Sequence, residues 1–345
     1  MKKPRVRAAA LAISFAAVMG AVALMAREAA HLAAPAPPVR PPGTHRARPA
    51  VLPWPRVTVA AAGRLPASAS GAALAQDSRG GLYQVGGFDG RTFASAVYEL
   101  RPAVRTYARL PVALHDAAAG FLGGRLYVFG GGQSQSLNTV SAVRAGGSSV
   151  AGHMNRPLSD AVCLPFVLHR VRGLLLIGGY DGSAFHMEVP FISASGGRLR
   201  WRAAFRLPVG LRYASVARAG STVYIAGGLR TTGAASRAVW AWRSPGGRPA
   251  RIARLPHGLY QASAWSVPGY LLLAGGLNGA GTPERAIYAV NVRTGRVRRV
   301  GRLPYALADM GYSANARGAW LAGGIAGRAQ AVSNAIFRVY TTWYS

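Results

Sequence analysis

Cysteine, lysine and acidic residues are all scarce in this chain of 345 residues. There is one cysteine, Cys163, so no intrachain disulfide is possible, and its apolar neighbours favour a small buried side chain over a nucleophile. Lys2 and Lys3 are the only lysines among 41 cationic residues, against ten aspartates and glutamates in total. The net charge of +31 favours anionic partners over neutral ones.

Sequence signatures of common active sites are also missing. The chain has no phosphate-binding loop, no Gly-x-Ser-x-Gly elbow and no His-Glu-x-x-His motif. His153, His169, His186 and His257 stand alone, without the spacing of metal ligands. We therefore expect neither a metal nor a cofactor, and the sequence defines a scaffold better than an activity.

What the chain does contain is a repeat. A pair of glycines closes an apolar run six times, at 44- to 49-residue intervals: Gly86-Gly87, Gly130-Gly131, Gly178-Gly179, Gly227-Gly228, Gly275-Gly276 and Gly323-Gly324. A period of this length indicates an array of one supersecondary unit, because each unit buries its apolar face only against its neighbours.

Each repeat unit holds four predicted strands. A buried strand precedes each glycine pair, and two more runs follow it before an Arg-Leu-Pro marker, where the proline is expected to stop a strand. In one unit Arg156-Pro157 replaces the marker. In the others the marker begins at Arg64, Arg109, Arg206, Arg254 and Arg302. Four antiparallel strands per unit, repeated radially, predict an all-β propeller with six blades.

The repeat resembles the kelch family over about residues 55–345. The mark of that family is an apolar run closed by Gly-Gly, with an aromatic residue three positions earlier. Tyr83, Tyr127, Tyr224 and Trp320 match this pattern, whereas Leu175 and Leu272 do not. The chain also lacks the regular tryptophan of the fourth strand, so the resemblance implies a fold more than an activity.

The ends of the repeat region predict how the ring closes. The last unit has a third strand at residues 334–341 and no fourth, whereas residues 56–62 form a strand without a blade of its own. We expect the N-terminal strand to complete the sixth blade, which removes an exposed edge.

The segment before the repeats has the pattern of an export signal. Residues 2–7 carry four cations and residues 8–26 carry no charge, which predicts an N-terminal apolar helix. We assign residues 1–27 to a signal anchor or a cleaved signal peptide, 28–54 to a Pro/Ala-rich linker and 55–345 to the propeller. The propeller is then outside the cytoplasm, either tethered to the cell membrane by a single span or secreted.

Arginines concentrate on the predicted fourth strands, the outermost of each blade: Arg101, Arg105, Arg109, Arg198, Arg200, Arg202, Arg206, Arg248, Arg251, Arg254, Arg296, Arg298, Arg299 and Arg302. They either protect exposed strand edges or contact anionic phospholipid or a cell-envelope polymer. We do not expect nucleic acid as a partner, because export removes the chain from it and no stacking residues are interleaved.

Five of the six aspartates fall in loops that a propeller places on one face. Asp89 and Asp181 precede glycines and are predicted to make turns. Asp116, Asp160 and Asp309 precede the innermost strands, with other polar residues at or beside the matching positions. The candidate ligand-binding residues are therefore His115, Asp116, Asp160, Arg212, Tyr213, Tyr260, Gln261 and Asp309.

Two functions remain open at this point. The first is a monomeric module, tethered to the membrane, that binds a protein or an anionic glycan through the loop face. The second, which the kelch resemblance admits, is a sugar-converting enzyme of the sialic acid epimerase type, with Asp160 and His115 as acid and base. An enzyme requires the axial residues to converge on one small, deep pocket, whereas a binding module can present a broad face.

Overall fold

Every regular element in the part of the chain that the structure describes is a β-strand. This computed structural model describes residues 53–315 and 318–343. The predicted N-terminal helix and signal segment, and all but the last two residues of the predicted linker, lie outside these residues.

Within the described ranges, six antiparallel sheets have four strands each. The strands of each sheet are given from the innermost to the outermost. Sheets 1 to 3 are built from β2 (Ala73–Gln76), β3 (Leu82–Val85), β4 (Ala94–Arg101) and β5 (Arg105–Leu114); β6 (Ala118–Leu122), β7 (Arg125–Phe129), β8 (Thr139–Arg144) and β9 (Gly147–His153); and β10 (Val162–Leu168), β11 (Val171–Ile177), β12 (Glu188–Ser195) and β13 (Arg198–Arg206).

Sheets 4 to 6 follow the same plan, except that sheet 6 takes its outer strand from the N-terminal end. They are built from β15 (Ser215–Ala219), β16 (Thr222–Ala226), β18 (Ala238–Arg243) and β19 (Ala250–Arg254); β21 (Ser263–Val267), β22 (Tyr270–Ala274), β24 (Ala286–Asn291) and β25 (Val297–Arg302); and β27 (Gly311–Asn315), β28 (Gly318–Ala322), β31 (Ala335–Thr342) and β1 (Arg56–Arg64).

Seven two-residue strands form three small sheets near the innermost strands. They are β14 (Leu211–Arg212) with β17 (Leu229–Arg230), β20 (Leu259–Tyr260) with β23 (Leu277–Asn278), and β26 (Leu307–Ala308) with β29 (Ile325–Ala326) and β30 (Ala331–Val332). Each joins the segment before an innermost strand to the segment after a glycine pair. These two kinds of loop, which contain five of the six aspartates, therefore lie on one face, as predicted from the sequence.

The six sheets close into a ring. Their innermost strands contact one another in the order β2, β6, β10, β15, β21, β27 and back to β2. The hydrophobic core is divided accordingly into six clusters, and each cluster fills the space between two adjacent sheets. This arrangement is a β-propeller, in which each sheet buries both faces against its neighbours.

Strand β1 closes the ring by pairing with β31. The register runs from Arg56 opposite Thr342 to Arg64 opposite Ala335, with one bulge near Gly63. Trp54, just before β1, packs against Tyr270 with ring centroids 5.2 Å apart and the ring planes tilted by 46°. The two ends of the described chain are therefore joined in one sheet, as the unpaired strand at residues 56–62 predicted.

The glycine pairs hold adjacent sheets together. In every pair, the N–H of the second glycine donates to a backbone carbonyl of the segment that leads into the next innermost strand, as Gly179 does to Leu211 at 2.8 Å. A Cβ on the first glycine would lie 2.5 Å or less from that same carbonyl oxygen. Both glycines also have positive φ, which other residues rarely adopt. The repeat thus marks a contact between sheets, which explains why both positions need glycine.

The structure corrects two details of the Arg-Leu-Pro marker. Proline does not stop β5, which continues through Pro111 to Leu114. In sheet 2 the marker's place is taken by His153-Met154 and not by Arg156-Pro157, because the Met154 N–H donates to Asn138 as Leu207 does to Met187 in sheet 3. What this position requires is a buried apolar side chain after the arginine or histidine.

Candidate functional site

Six residues immediately before the innermost strands form a closed ring of backbone hydrogen bonds. Each N–H donates to the carbonyl of its counterpart in the preceding sheet, over N···O distances of 2.6 to 3.2 Å. We call this the axial ring, and its members are Gly71, Asp116, Asp160, Tyr213, Gln261 and Asp309. Five of the six were predicted candidate residues, and the ring brings all five together.

The axial ring is held in an unusual backbone conformation. All six residues have φ between +52° and +61°, although only Gly71 is a glycine. Aspartate tolerates this left-handed region, but tyrosine and glutamine rarely occupy it. Such conformations cluster at functional sites, where the surrounding structure enforces them. Here the enforcing structure is the ring of hydrogen bonds itself.

A network of charged and polar side chains lies on the ring. The His115 ring is 2.7 Å from Asp116 Oδ2, measured from Nδ1, and the Arg212 guanidinium is 2.8 Å from Asp160 Oδ2. Arg212 also donates to the Tyr213 hydroxyl at 2.8 Å, and that hydroxyl is 3.5 Å from Asp116 Oδ2. Predicted candidates from three different sheets therefore share one hydrogen-bond network.

Burial and mutual repulsion raise the pKa values of two carboxyl groups in the network. Burial, and next the charge of Asp116, raise the pKa of Asp160 to about 7, although Arg212 opposes the shift. Burial and the neighbouring charges of Asp116 and Asp160 raise the pKa of Asp309 well above its ordinary value. Near neutral pH Asp160 is therefore protonated in part of the molecules and can donate that proton.

The pKa of His115 is also raised. Burial lowers it, but the hydrogen bond that His115 donates to Asp116 and the charge of that carboxylate outweigh the effect of burial. His115 therefore keeps its proton to higher pH than an exposed histidine does. In the described part of the chain, no three His, Cys, Asp or Glu side chains are grouped as a metal site requires.

Aromatic side chains flank the network on two sides. The Phe93 ring stacks on His115 at 5.0 Å between centroids and 11° between planes, and Phe88 lies 6.3 Å from the same histidine. The Arg212 guanidinium lies 4.8 Å from the centre of the Tyr180 ring and 5.8 Å from that of Phe185. The two aromatic pairs belong to sheets 1 and 3.

A cavity of about 490 Å³ runs along the axis beneath the ring. Asp116, Asp160, Tyr213, Gln261 and Asp309 line one end of it. Roughly half of the other lining residues are alanine or glycine, in or just before the innermost strands. The small side chains leave open a space of the size that holds small ligands in other proteins.

Tyr312 crosses part of this cavity. Its hydroxyl donates to the Val216 carbonyl at 3.1 Å and accepts from the Val216 N–H at 3.0 Å. These backbone groups lie on the inner edge of β15, where no further strand pairs with them. Burial raises the pKa of Tyr312 to about 12, so the hydroxyl keeps its proton at all ordinary pH values.

The other predicted residues have separate positions. Tyr260 lies beside the network, with its ring centroid 6.4 Å from that of Tyr213. Asp89 and Asp181 make turns, as predicted: Asp89 accepts the N–H groups of Arg91 and Thr92, and Asp181 accepts the matching pair in sheet 3.

Sequence reasoning missed Gly71 and the two aromatic pairs. Gly71 lacks a polar side chain, although its place in the repeat marks it as the counterpart of Asp116. Phe88, Phe93, Tyr180 and Phe185 flank turns that were interpreted as structural only. The signal was available, because both turns have the same spacing of aromatic, aspartate, glycine and aromatic.

Comparisons with known proteins identify a fold and no family. No family model matches the sequence, and no curated protein matches it. The solved structure of YjhT is similar, with a TM-score of 0.67 and 17% identity over 81% of this chain and 99% of that chain. The described residues contain no helix of the length and apolarity that a membrane span needs. At this identity the likeness to YjhT concerns the fold alone, and it agrees with a β-propeller.

Proposed function

We propose that this chain is a six-bladed propeller of the kelch type that binds a hydroxyl-rich small ligand, such as one sugar unit of a glycan, at its axial ring. Six four-stranded sheets in cyclic contact support the blade count, and the repeated glycine pairs support the kelch type. As part of this proposal, the N-terminal segment exports the propeller or tethers it to a membrane.

The observation that carries the proposal is the convergence of polar groups beside the axial cavity. Sugars are recognised by carboxylates that accept from hydroxyl groups, by cations that donate to them and by aromatic faces that pack against the ring. All three are present within one network. The buried Nε of Arg212 also has no hydrogen-bond partner among the described residues.

Electrostatics narrows the class of ligand at this position. The network holds three carboxyl groups against His115 and Arg212, and Arg212 is already paired with Asp160. An anionic group would have to displace that carboxylate, whereas a neutral hydroxyl finds several acceptors. A broad protein-binding face is also disfavoured, because the polar groups converge on a cavity. We therefore favour an uncharged sugar unit over the carboxylate of an anionic glycan.

The binding test compares an aspartate of the axial ring with an aspartate of an exposed turn. Asp160→Asn removes a carboxyl group from the axial network, and Asp89→Asn removes one from an exposed turn that asparagine can also make. We expect the unaltered full-length chain to bind sugars from a calorimetric panel, and Asp160→Asn to weaken that binding at least roughly tenfold. Asp89→Asn should bind as the unaltered chain does. Equal loss in both variants, or no sugar binding at all, contradicts the proposal.

One observation favours a second function, conversion of a sugar by acid–base catalysis. A pKa of about 7 for Asp160 is well matched to proton transfer near neutral pH, and Asp116, His115 and Tyr213 are its neighbours in the network. In this case the same chain exchanges anomers or epimers of a reducing sugar, measured by NMR. Asp160→Asn should then lower the rate at least about 100-fold with little change in stability.

A further inference from the structure

The second half of the propeller has almost no negative charge. Only two of the ten carboxylates follow residue 228, Glu284 and Asp309, and fifteen arginines lie in the same stretch. Asp309 belongs to the axial ring. Glu284 Oε1 lies 2.8 Å from His257 Nε2. Neither carboxylate lies on an outer strand of sheets 4 to 6.

The outer strands of these three sheets are in contact with one another. Gly295, in the turn before β25, lies so close to β19 that a Cβ there would be 2.5 Å from the Ile252 carbonyl oxygen. Gly301 on β25 lies against β1, where a Cβ would be 3.4 Å from that of Val57. Strands β19, β25 and β1 therefore form one continuous surface, which we call the basic wall.

Arginines are the only charged residues on the three strands of the basic wall. Exposed arginines at these positions include Arg64, Arg251, Arg254, Arg298, Arg299 and Arg302. Arginine on a strand edge protects it from pairing, but that role needs neither three consecutive sheets nor the absence of acidic residues. The wall covers the rim of half of the ring with one sign of charge.

In the opposite half of the ring, sheets 1 to 3, carboxylates lie beside some of the arginines of the outer strands. On sheet 1, Arg105 lies against Glu99 in a salt bridge, and on sheet 3, Arg206 pairs with Glu188 at 3.2 Å. Carboxylates thus offset part of the charge on two of the three outer strands there. Because all six outer strands occupy equivalent positions in the fold, the contrast between halves comes from the sequence.

We propose that the basic wall binds a flexible linear polyanion, a chain of repeated phosphate or carboxylate groups. Guanidinium groups bind both kinds of oxyanion in bidentate fashion. When many of them contact one polyanion, the counterions condensed on that polyanion are released, which favours binding. A flexible chain can follow a wall that curves around three sheets, whereas a flat membrane touches only part of it. This site is separate from the axial ring and does not depend on the function proposed for that ring.

The test compares two double variants of the full-length chain with equal loss of charge. Arg298→Gln with Arg299→Gln alters the wall, and Arg198→Gln with Arg200→Gln alters β13 in the opposite half. Long-chain inorganic polyphosphate and polygalacturonate serve as probes of the two oxyanion types, and anionic vesicles serve as a third probe. Binding is measured by calorimetry or co-sedimentation across a salt series, and circular dichroism checks that each variant is folded.

We expect the wall variant to lose about tenfold or more in affinity for at least one polymer, and the β13 variant to lose less than about twofold. The salt dependence should also weaken in the wall variant, by about 0.7 in the slope of log K against log salt for each phosphate contact removed. Whichever polymer binds more tightly identifies the oxyanion.

Three results would overturn the proposal. Equal losses in the two variants would show that binding follows net charge and not the wall. Binding of vesicles alone would assign the arginines to a membrane surface. Failure of the unaltered chain to bind either polymer at low salt would remove the site altogether.

Discussion

At the residue scale, the glycine pairs are sites of close approach between sheets. The first glycine leaves room for a carbonyl oxygen of the segment that leads into the next innermost strand, and the second donates its N–H to that oxygen. A side chain on the first glycine would clash with that oxygen, and a side chain on either glycine would be strained by the positive φ. The six pairs are thus equivalent, and each one can be tested singly.

We predict that Gly178→Ala destabilises the propeller by about 2–4 kcal/mol, through a steric clash with the Leu211 carbonyl and strain at a φ of +70°. The matched control is Gly233→Ala, because Gly233 has a φ of +76° but no heavy atom within 4 Å of the added Cβ. Its cost should be about 1–2 kcal/mol, from the backbone alone. Urea unfolding measures both, and equal costs would show that contact between sheets is unimportant.

At the scale of elements, β1 pairs with the strand that is most distant from it in the described chain, β31. It pairs with β31 over eight residue pairs, and Val57 and Val59 pack against the core between sheets 5 and 6. Without β1, the outer edge of β31 would be open and that core would be partly exposed to water. Closure of the ring therefore depends on the first strand that the structure describes.

Deletion of residues 53–64 should lower the melting temperature of the whole propeller in one cooperative transition, and not merely loosen the last sheet. The expected loss is several kcal/mol, because a strand with its hydrogen bonds and apolar contacts is removed. Deletion of residues 28–52 is the control, since β1 is kept, and it should leave the melting temperature unchanged. A separate low-temperature transition in the first variant would instead show that sheet 6 unfolds alone.

At the scale of the whole molecule, the carboxyl groups with altered pKa values set the response to pH. Asp160, Asp309 and His115 have raised pKa values in the folded state. Their contribution to the stability of the fold is therefore present at low pH and is lost as pH rises through those pKa values. Asp89 and Asp181 have lowered values, so their contribution is lost only in acid. The N–H groups of Ala184 and Ser183 outweigh burial and hold the pKa of Asp181 at about 2.

We therefore predict that the melting temperature is higher at pH 5 than at pH 8 and that the fold persists at pH 4. Circular dichroism at constant ionic strength over pH 4–8 measures this. The double variant Asp160→Asn with Asp309→Asn should reduce the difference between pH 5 and pH 8, because two of the responsible groups are gone. A melting temperature that rises from pH 5 to pH 8, or unfolding near pH 4, would contradict the assignment.

The sequence by itself determined the repeating unit and its contents. Gly-Gly at a regular period, four apolar runs per unit and an unpaired strand at residues 56–62 follow from local pattern, and they predicted the β-propeller and the pairing of its two ends. The positions of Asp116, Asp160, Tyr213, Gln261 and Asp309 followed from the same period. The kelch type, the N-terminal helix and the outer location remain predictions.

Only the tertiary structure decided how these residues meet. A periodic pattern shows which positions are equivalent, but it contains no distances, so it could not show the closed ring of hydrogen bonds or the pairing of Arg212 with Asp160. Nor could it show that Phe93 stacks on His115 or that β19, β25 and β1 touch. These contacts join residues far apart in the chain, and they form only because closing the ring places six distant segments around one axis.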